Sequence, residues 1–379
     1  HHKIALQVAR HGTVLLTNRG VLPVAPETSA RIAVIGGYAQ LGVPTGAGSS
    51  AVVPPGGYAA VIPIGGPGLT GGLRNVYLLP SSPLAELRKQ FPNAQIDFDP
   101  GMSPAEAVLA AKRADVAVVF AIRVEGEVFD SADLSLPWGQ DAVISAVAAA
   151  NPNTVVVLET GNPAVMPWRD SANAIVQAWY PGQAGGQAIA EIVAGRVNPS
   201  GRLPITFPVD LDQTPRPELP GLGEPFGTLN TIRYSEGADV GYRWFARQRQ
   251  DPMFAFGHGL SYTRFEHRDL TVASGETVTA SFTVHNTGDR SGVDVPQLYL
   301  TAAPEGEVLR LLGFERVQLE PGENRRVTIE ADPRLLARYD GTVSSWRITS
   351  GRYAVAVGAS AVALELAAEV ELAGRAFGR

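Results

Sequence analysis

Apolar and polar positions follow two rhythms along the 379 residues. Up to about residue 209, short β-branched runs alternate with segments whose apolar residues return every three or four positions, the periods of strand and helix. The pattern predicts helices over 4–16, 82–91, 104–113, 140–150 and 185–194, with Ser103 as an N-cap. It predicts strands over 31–36, 95–98, 115–124, 154–159 and 174–179. Strands separated by helices imply an α/β sandwich, a mostly parallel sheet between helices. Residues 210–260 are rich in proline, glycine and aromatic rings and carry no long periodic element. From Phe265 onward short alternating strands are expected over 276–285, 294–301, 324–330, 351–357 and 361–372, parted by turn signals such as Asn286-Thr-Gly288 and Pro321-Gly-Glu323. This is the pattern of an all-β sandwich of about 110 residues. The expected organisation is an α/β domain over 1–210, a linking segment over 211–262 and a β-sandwich over 263–379.

Composition narrows what such a chain could do. A hydrophobic share of 45% and a charged share of 18% are enough for two buried cores. A net charge of −6 without any basic run argues against nucleic acid as a partner. No apolar stretch approaches the roughly 20 residues of a membrane span. With no cysteine, disulfides and thiolate metal sites are excluded. The six histidines (1, 2, 11, 258, 267, 285) are scattered, with no zinc-ligand spacing. Gly46-Ala-Gly-Ser-Ser50 looks like a phosphate-cradling loop, but no lysine follows it. No serine lies in a nucleophile elbow. Neither a metal nor a cofactor is expected. His1-His2-Lys3 does not read as a signal peptide; it fits a tag remnant or an internal sequence exposed by a cut.

The densest chemistry lies in 123–137. This segment leaves the carboxyl end of a predicted buried strand, the edge at which open α/β sheets bind ligands. Glu125, Glu127, Asp130 and Asp133 fall within nine residues, and Gly126 permits an unusual backbone path that can aim a neighbouring side chain. Acidic residues in a loop are also simply well solvated, and the residues alone leave both readings open. Tyr242, Trp244, Phe254 and Phe256 could stack on a sugar, although packing between domains is the commoner use of such rings. His258, between two glycines, reads as part of a structural turn.

The order of short motifs resembles the family 3 glycoside hydrolases across essentially the whole chain. The motifs are Ala9-Arg-His-Gly-Thr-Val-Leu-Leu-Thr-Asn18 with Leu22-Pro-Val, Ile32-Ala-Val-Ile-Gly36, and Gly46-Ala-Gly-Ser-Ser50 with Val53-Pro54. There follow the Glu-Gly-Glu segment closing on Leu-Ser-Leu-Pro137, then Pro181-Gly-Gln-Ala-Gly-Gly186 and Asn198-Pro-Ser-Gly-Arg-Leu-Pro-Ile-Thr-Phe-Pro208. Last come Val240-Gly-Tyr-Arg-Trp-Phe245 and Phe254-Ala-Phe-Gly-His-Gly-Leu-Ser-Tyr262. The resemblance implies that the β-sandwich is fibronectin-III-like. It also implies a retaining β-glycosidase, β-glucosidase being the commonest activity, and a carbohydrate substrate.

In that family the acid/base is a glutamate in a Gly-Glu loop, which selects Glu127, with Glu125 as the second choice. Ser131 stands where the family often has an arginine. The resemblance further suggests Ser49, Ser50 and Arg123 as substrate contacts, although a plain flexible turn at 46–50 remains open. Retaining enzymes need two carboxyl groups about 5–5.5 Å apart, and the acid needs a raised pKa. The family's nucleophile is an aspartate on a preceding (β/α)8 barrel. The expected partner is therefore that barrel, on a separate chain or a cleaved segment; homo-oligomerisation is also compatible. A periplasmic or secreted location is expected, with the cytoplasm open. The competing reading is a carbohydrate-binding or scaffold protein without catalysis.

Overall fold

The computed structural model describes all residues except 67–73, 128–130, 226 and 379, together with all side chains of the described residues but that of Ser50. The chain divides into two compact units, His1–Gly201 with Pro208–Arg233, and Arg202–Phe207 with Tyr234–Arg379.

The first unit is built on six strands, β1 (Val14–Asn18), β2 (Arg31–Gly36), β6 (Gln95–Asp99), β7 (Val116–Ile122), β8 (Thr154–Glu159) and β9 (Ala174–Gln177). Their order is β1-β9-β8-β7-β2-β6, parallel except for β1, which runs antiparallel to β9. A second, antiparallel sheet joins β3 (Val43–Thr45), β4 (Ala60–Pro63) and β5 (Asn75–Leu79). The apolar residues of β7, β8 and β9 are buried almost without exception, as expected for strands covered on both faces. Helices α1 (His2–Gly12), α2 (Pro83–Gln90) and α5 (Gly185–Val193) pack on one another, as do α3 (Pro104–Lys112) and α4 (Gln140–Ala150). Right-handed crossovers place the two groups on opposite faces. Ser82 and Ser103 cap α2 and α3, each side chain accepting an amide hydrogen bond three residues on.

The predicted helix over 4–16 is shorter than its apolar pattern. It stops at Gly12, and Val14, Leu15 and Leu16 enter the sheet as β1. Those three consecutive apolar residues are all buried, which suits a strand packed from both sides better than a helix with one apolar stripe.

The strand order fixes where chemistry can occur. From β2 the chain moves outward to β6, then returns across β2 to β7. The crevice at the carboxyl ends of β2 and β7 is the switch point at which doubly wound sheets leave room for a ligand. The 123–137 segment leaves β7 at this edge.

The second unit is a β-sandwich. Its main sheets are β10 (Phe265–Ser274), β11 (Val278–Asn286) and β16 (Asn324–Glu330) on one side, and β13 (Gln297–Ala303), β14 (Gly306–Phe314), β19 (Gly351–Gly358) and β20 (Leu364–Leu372) on the other. Short pairs add β12 (Gly292–Asp294) with β15 (Val317–Leu319), and β17 (Arg338–Asp340) with β18 (Ser345–Ile348) and β21 (Arg375–Phe377). Every second residue of β11, from Val278 to Asn286, is buried, and Phe282, Leu298, Val355 and Val357 meet in the core.

The 211–262 segment is not a body of its own. Residues 211–233 belong to the first unit and 234–262 to the second. The segment is divided because 202–207 is stitched to 254–258. Leu203 donates to His258 O at 2.9 Å, and Phe207 and Phe254 exchange backbone hydrogen bonds and meet edge to face. Within this stretch lies α6 (Tyr242–Gln248), which no periodic pattern announced because seven residues hold barely two turns. Tyr242 stacks on Phe256 at 4.6 Å, and its hydroxyl accepts from Leu311 N at 3.0 Å, so both rings are engaged in packing. A four-residue helix, α7 (Pro333–Leu336), precedes β17.

Candidate active site

The two glutamates that the sequence leaves in competition hold opposite positions. Glu125 is buried, at 7% exposure, whereas Glu127 is exposed. One oxygen of Glu125, Oε2, accepts from Gly161 N at 2.5 Å, from Asn162 N at 2.9 Å and lies 3.2 Å from the Tyr180 hydroxyl. Its Oε1 is 3.8 Å from Arg123 Nη1. Tyr180 in turn accepts from Glu125 N at 3.0 Å and donates to Arg123 O at 2.7 Å. Burial, and then the charge of Glu125, push the Tyr180 phenol far above its ordinary range, so it remains a hydrogen-bond donor at any working pH. Glu125 thus ties the end of β7 to the turn after β8.

Glu127 is placed by a second joint. Ala47 and Gly126 form a parallel bridge, with Ala47 N donating to Glu125 O at 2.9 Å and Glu127 N to Ala47 O at 3.4 Å. The sequence suggests that Gly126 is needed for its backbone conformation. Its φ lies outside the left-handed region, and its contribution is room: a Cβ there would come within 2.6 Å of the Ala47 Cβ. Gly48, at φ +77°, answers from the other side, where a Cβ would come within 2.5 Å of the Glu127 Cβ. Two glycines therefore let the 46–50 and 123–127 segments lie against each other.

At that joint Ser49 meets Glu127. The Ser49 amide donates to Glu127 Oε2 at 3.0 Å, and its hydroxyl donates to the same oxygen. The hydroxyl bond, then the amide bond, hold the Glu127 carboxyl below its ordinary range. The acid of a glycosidase needs the reverse shift, expected from burial or from neighbouring carboxylates. Among the described residues this unit provides neither, because Glu127 faces solvent and Glu125 turns inward. Ser50 ends the Gly48–Ser50 turn; its side chain, like the whole of Asp130, lies outside the described residues.

Arg123, expected to touch substrate, is held by the loop. Its guanidinium is buried and donates to Asp133 O at 2.9 Å, to Pro163 O at 3.4 Å and to Ser135 O. It also lies 3.6 Å from the Asp133 carboxylate. The far end of the segment is clamped by α4. Gln140 accepts from Ile122 N at 2.9 Å and donates to Ile122 O at 2.7 Å and Pro137 O at 2.9 Å. Asp141 accepts from Leu136 N and the Trp168 indole. Burial raises the pKa of Asp141 despite these bonds.

Sequence reasoning passed over Gln140, Asp141, Tyr180 and the buried Glu159. Glu159 ends β8 fully buried, with neither carboxyl oxygen hydrogen-bonded among the described residues, and burial pushes its pKa well above the ordinary range. It sits just before the turn that holds Glu125. The signal for Gln140 and Asp141 was present as polar residues opening a predicted helix. Tyr180 and Glu159 gave none, because the partners of Tyr180 are distant in sequence and the burial of Glu159 comes from the packed sheet. Among the described residues no cluster of side chains suits a metal ion.

A doubly wound sheet with a carboxylate-bearing loop at its switch point, followed by a β-sandwich, is the combination found in the carbohydrate-cleaving family whose motifs the sequence resembles. Residues 13–262 match the glycosyl hydrolase family 3 C-terminal domain and residues 294–361 a fibronectin type III-like domain, and the chain belongs to glycoside hydrolase family 3. Thermostable beta-glucosidase B of Acetivibrio thermocellus is 36% identical over 378 residues, covering 95% of this chain and 47% of the relative. Beta-glucosidase B of Emericella nidulans is 41% identical over 272 residues, covering 67% of this chain and 32% of the relative. The crystal structure of a GH3 beta-glucosidase from Bifidobacterium adolescentis superposes with a TM-score of 0.81 at 32% identity, over 98% of this chain and 53% of that one. The chain thus spans about half the length of the relatives it matches, and its described residues contain no (β/α)8 barrel.

Proposed function

We propose that this chain supplies the proton donor and acceptor of a retaining β-glycosidase, a β-glucosidase by its relatives, and that Glu127 is that group. The observation that carries the proposal is the contrast within the Glu-Gly-Glu segment. Glu125 is consumed in holding the loop, while Glu127 projects into solvent from the Ala47–Gly126 joint at the switch point. The relatives named as beta-glucosidases support the substrate class.

In this mechanism Glu127 protonates the oxygen of the departing sugar or aglycone while an aspartate attacks the anomeric carbon. Glu127 then takes a proton from the water that releases the glycosyl-enzyme. The aspartate belongs to a (β/α)8 barrel outside these residues, which also covers the Glu127 carboxyl. Covering removes water from the carboxylate and raises its pKa, countering Ser49 and bringing the group to a working range for an acid. Ser49 holds one oxygen, Oε2, so that Oε1 faces the glycosidic bond. Arg123 and Glu125 act through the loop and are positioning residues.

The test is hydrolysis of an aryl β-glucoside by this chain combined with the barrel-bearing polypeptide. The chain alone is expected to be nearly inactive and the combination active. Glu127→Gln should lower kcat by about 10²–10⁴-fold, the usual contribution of acid–base catalysis. Azide should rescue Glu127→Ala and not Glu125→Ala. Full activity of Glu127→Gln in the combined enzyme would refute the assignment.

A further inference from the structure

The second unit holds a cavity of about 620 Å³ that the proposed reaction leaves unused. Arg243 of α6, Arg310 of β14 and Arg338 of β17 line it together. Among the described residues none of the three forms an ion pair, whereas most other charged groups of the wall are already matched. Asp239 is held by Arg247 at 3.0 Å and Glu307 lies 3.6 Å from Arg249. Arg334 is paired with Asp332 and Arg347 with Asp340 at 3.3 Å, while Glu305, which accepts from the neutral Thr349 hydroxyl, keeps its charge and acts on Arg338. Three arginines without an ion pair are thus gathered around one space, with the Glu305 carboxylate as a counter-charge felt by Arg338, so that positive charge is in excess there.

Arg310 is fixed in place, its Nη1 donating to Leu335 O at 2.6 Å and Ala337 O at 3.3 Å. Burial, followed by the charges of Arg243 and Arg338, holds its pKa below the ordinary arginine value; the protein therefore bears an electrostatic cost that an anion would relieve. The same cavity has an aromatic wall. Tyr339 and Trp346 face each other across the β17–β18 pair, T-shaped with centroids 5.3 Å apart, and Tyr339 is 54% exposed.

We propose that this cavity binds an acidic saccharide, with the carboxylate of a uronic acid held among Arg243, Arg310 and Arg338 and a sugar ring lying against Tyr339. Guanidinium forks match a planar carboxylate, and three of them supply more donors than a neutral sugar could use. An exposed ring beside them offers an apolar face to the C–H side of a pyranose. The volume falls within the range of sites for small ligands. The site is independent of Glu127, and its test does not require hydrolysis.

Isothermal titration of the whole chain with trigalacturonate decides the matter, with cellotriose and inorganic phosphate as comparators. Saturable binding of trigalacturonate is expected, weakening with added salt, with no binding of cellotriose and weaker binding of phosphate. The double variant R243Q/R338Q should weaken trigalacturonate binding about tenfold or more, since each lost bond to a charged group is substantial. These two side chains make none of the Arg310 contacts with the backbone, so the melting temperature should hold. Tyr339→Ala should weaken the uronide and leave phosphate unchanged. Absence of saturable trigalacturonate binding, or binding indifferent to R243Q/R338Q, would overturn the proposal. So would phosphate binding as tight as the uronide together with an indifferent Tyr339→Ala, since that describes a bare anion site.

Discussion

Replacing Glu125 by alanine separates the two roles that adjacent carboxylates can play. In the native loop Glu125 Oε2 is the acceptor for two amides, Gly161 N at 2.5 Å and Asn162 N at 2.9 Å, in a part-buried setting. A buried donor left without a partner costs about 1–3 kcal/mol, so Glu125→Ala should destabilise the first unit by roughly 2–5 kcal/mol. Glu125→Gln keeps one acceptor oxygen but turns an amide N–H toward Arg123, and should lose less, about 1–2 kcal/mol. Glu127→Ala removes a solvent-facing carboxylate whose two Ser49 bonds water can replace, and should cost much less than Glu125→Ala. Urea unfolding measures the difference as a lower midpoint at constant slope. Hydrogen exchange locates it, because Gly161 and Asn162 should exchange about 30-fold faster or more in Glu125→Ala for a loss of two kcal/mol or above. If Glu125→Ala unfolds at the wild-type urea concentration with unchanged exchange, Glu125 does not anchor the loop. If Glu127→Ala proves the destabilising one, the roles are reversed.

Two further predictions concern protons. Ser49→Ala removes the hydroxyl bond that stabilises the ionised form of Glu127, so the pKa of that group should rise. In the combined enzyme the acid must be protonated, and the alkaline limb of kcat/KM should therefore move to higher pH; a limb that moves down, or stays, contradicts the Ser49–Glu127 contact. In the second unit, His267 sits between Asp294 at 2.7 Å and Glu365 at 2.9 Å. Burial lowers its pKa, but the hydrogen bonds and charges of these carboxylates outweigh burial and leave it above 6.5. The stability it contributes is complete below pH 6.5 and lost as pH rises through the higher folded value. The melting temperature of the sandwich should thus fall as pH rises above 6.5, and His267→Gln should flatten that slope. An equally steep slope in the variant would remove His267 as its source.

Much of the first unit was legible because its strands are buried on both faces and its helices on one, so that period alone separates them. The strand 31–36 and the helix 140–150 agree with their predicted bounds to the residue. Period failed where burial was two-sided but short, as at Val14–Leu16, and where an element was held by tertiary contacts, as in α6. The carboxylate loop was found from its chemistry, yet its internal division was not readable. Glu125 and Glu127 share a residue type, a loop and a glycine neighbour. They differ in the groups that meet them, Gly161, Asn162, Tyr180 and Ser49, between 36 and 78 residues away in sequence. Arg123 shows the same limit, since the carbonyls of Asp133, Ser135 and Pro163 that receive its guanidinium could not be read from the sequence.

The Ala47–Gly126 bridge has a consequence for how this loop can vary. The backbone of Glu127 is measured off the sheet through two anchors that both precede it, the end of β7 and then the bridge. Its height above the strands does not depend on the length or composition of the chain beyond residue 127. Residues after Glu127 can therefore change the surroundings of the carboxylate, its neighbours, its wetness and the shape of the partner it will accept, while the carboxylate stays where it was. Placement and selectivity are separately adjustable in this loop, and two small residues, Gly48 and Gly126, keep them apart.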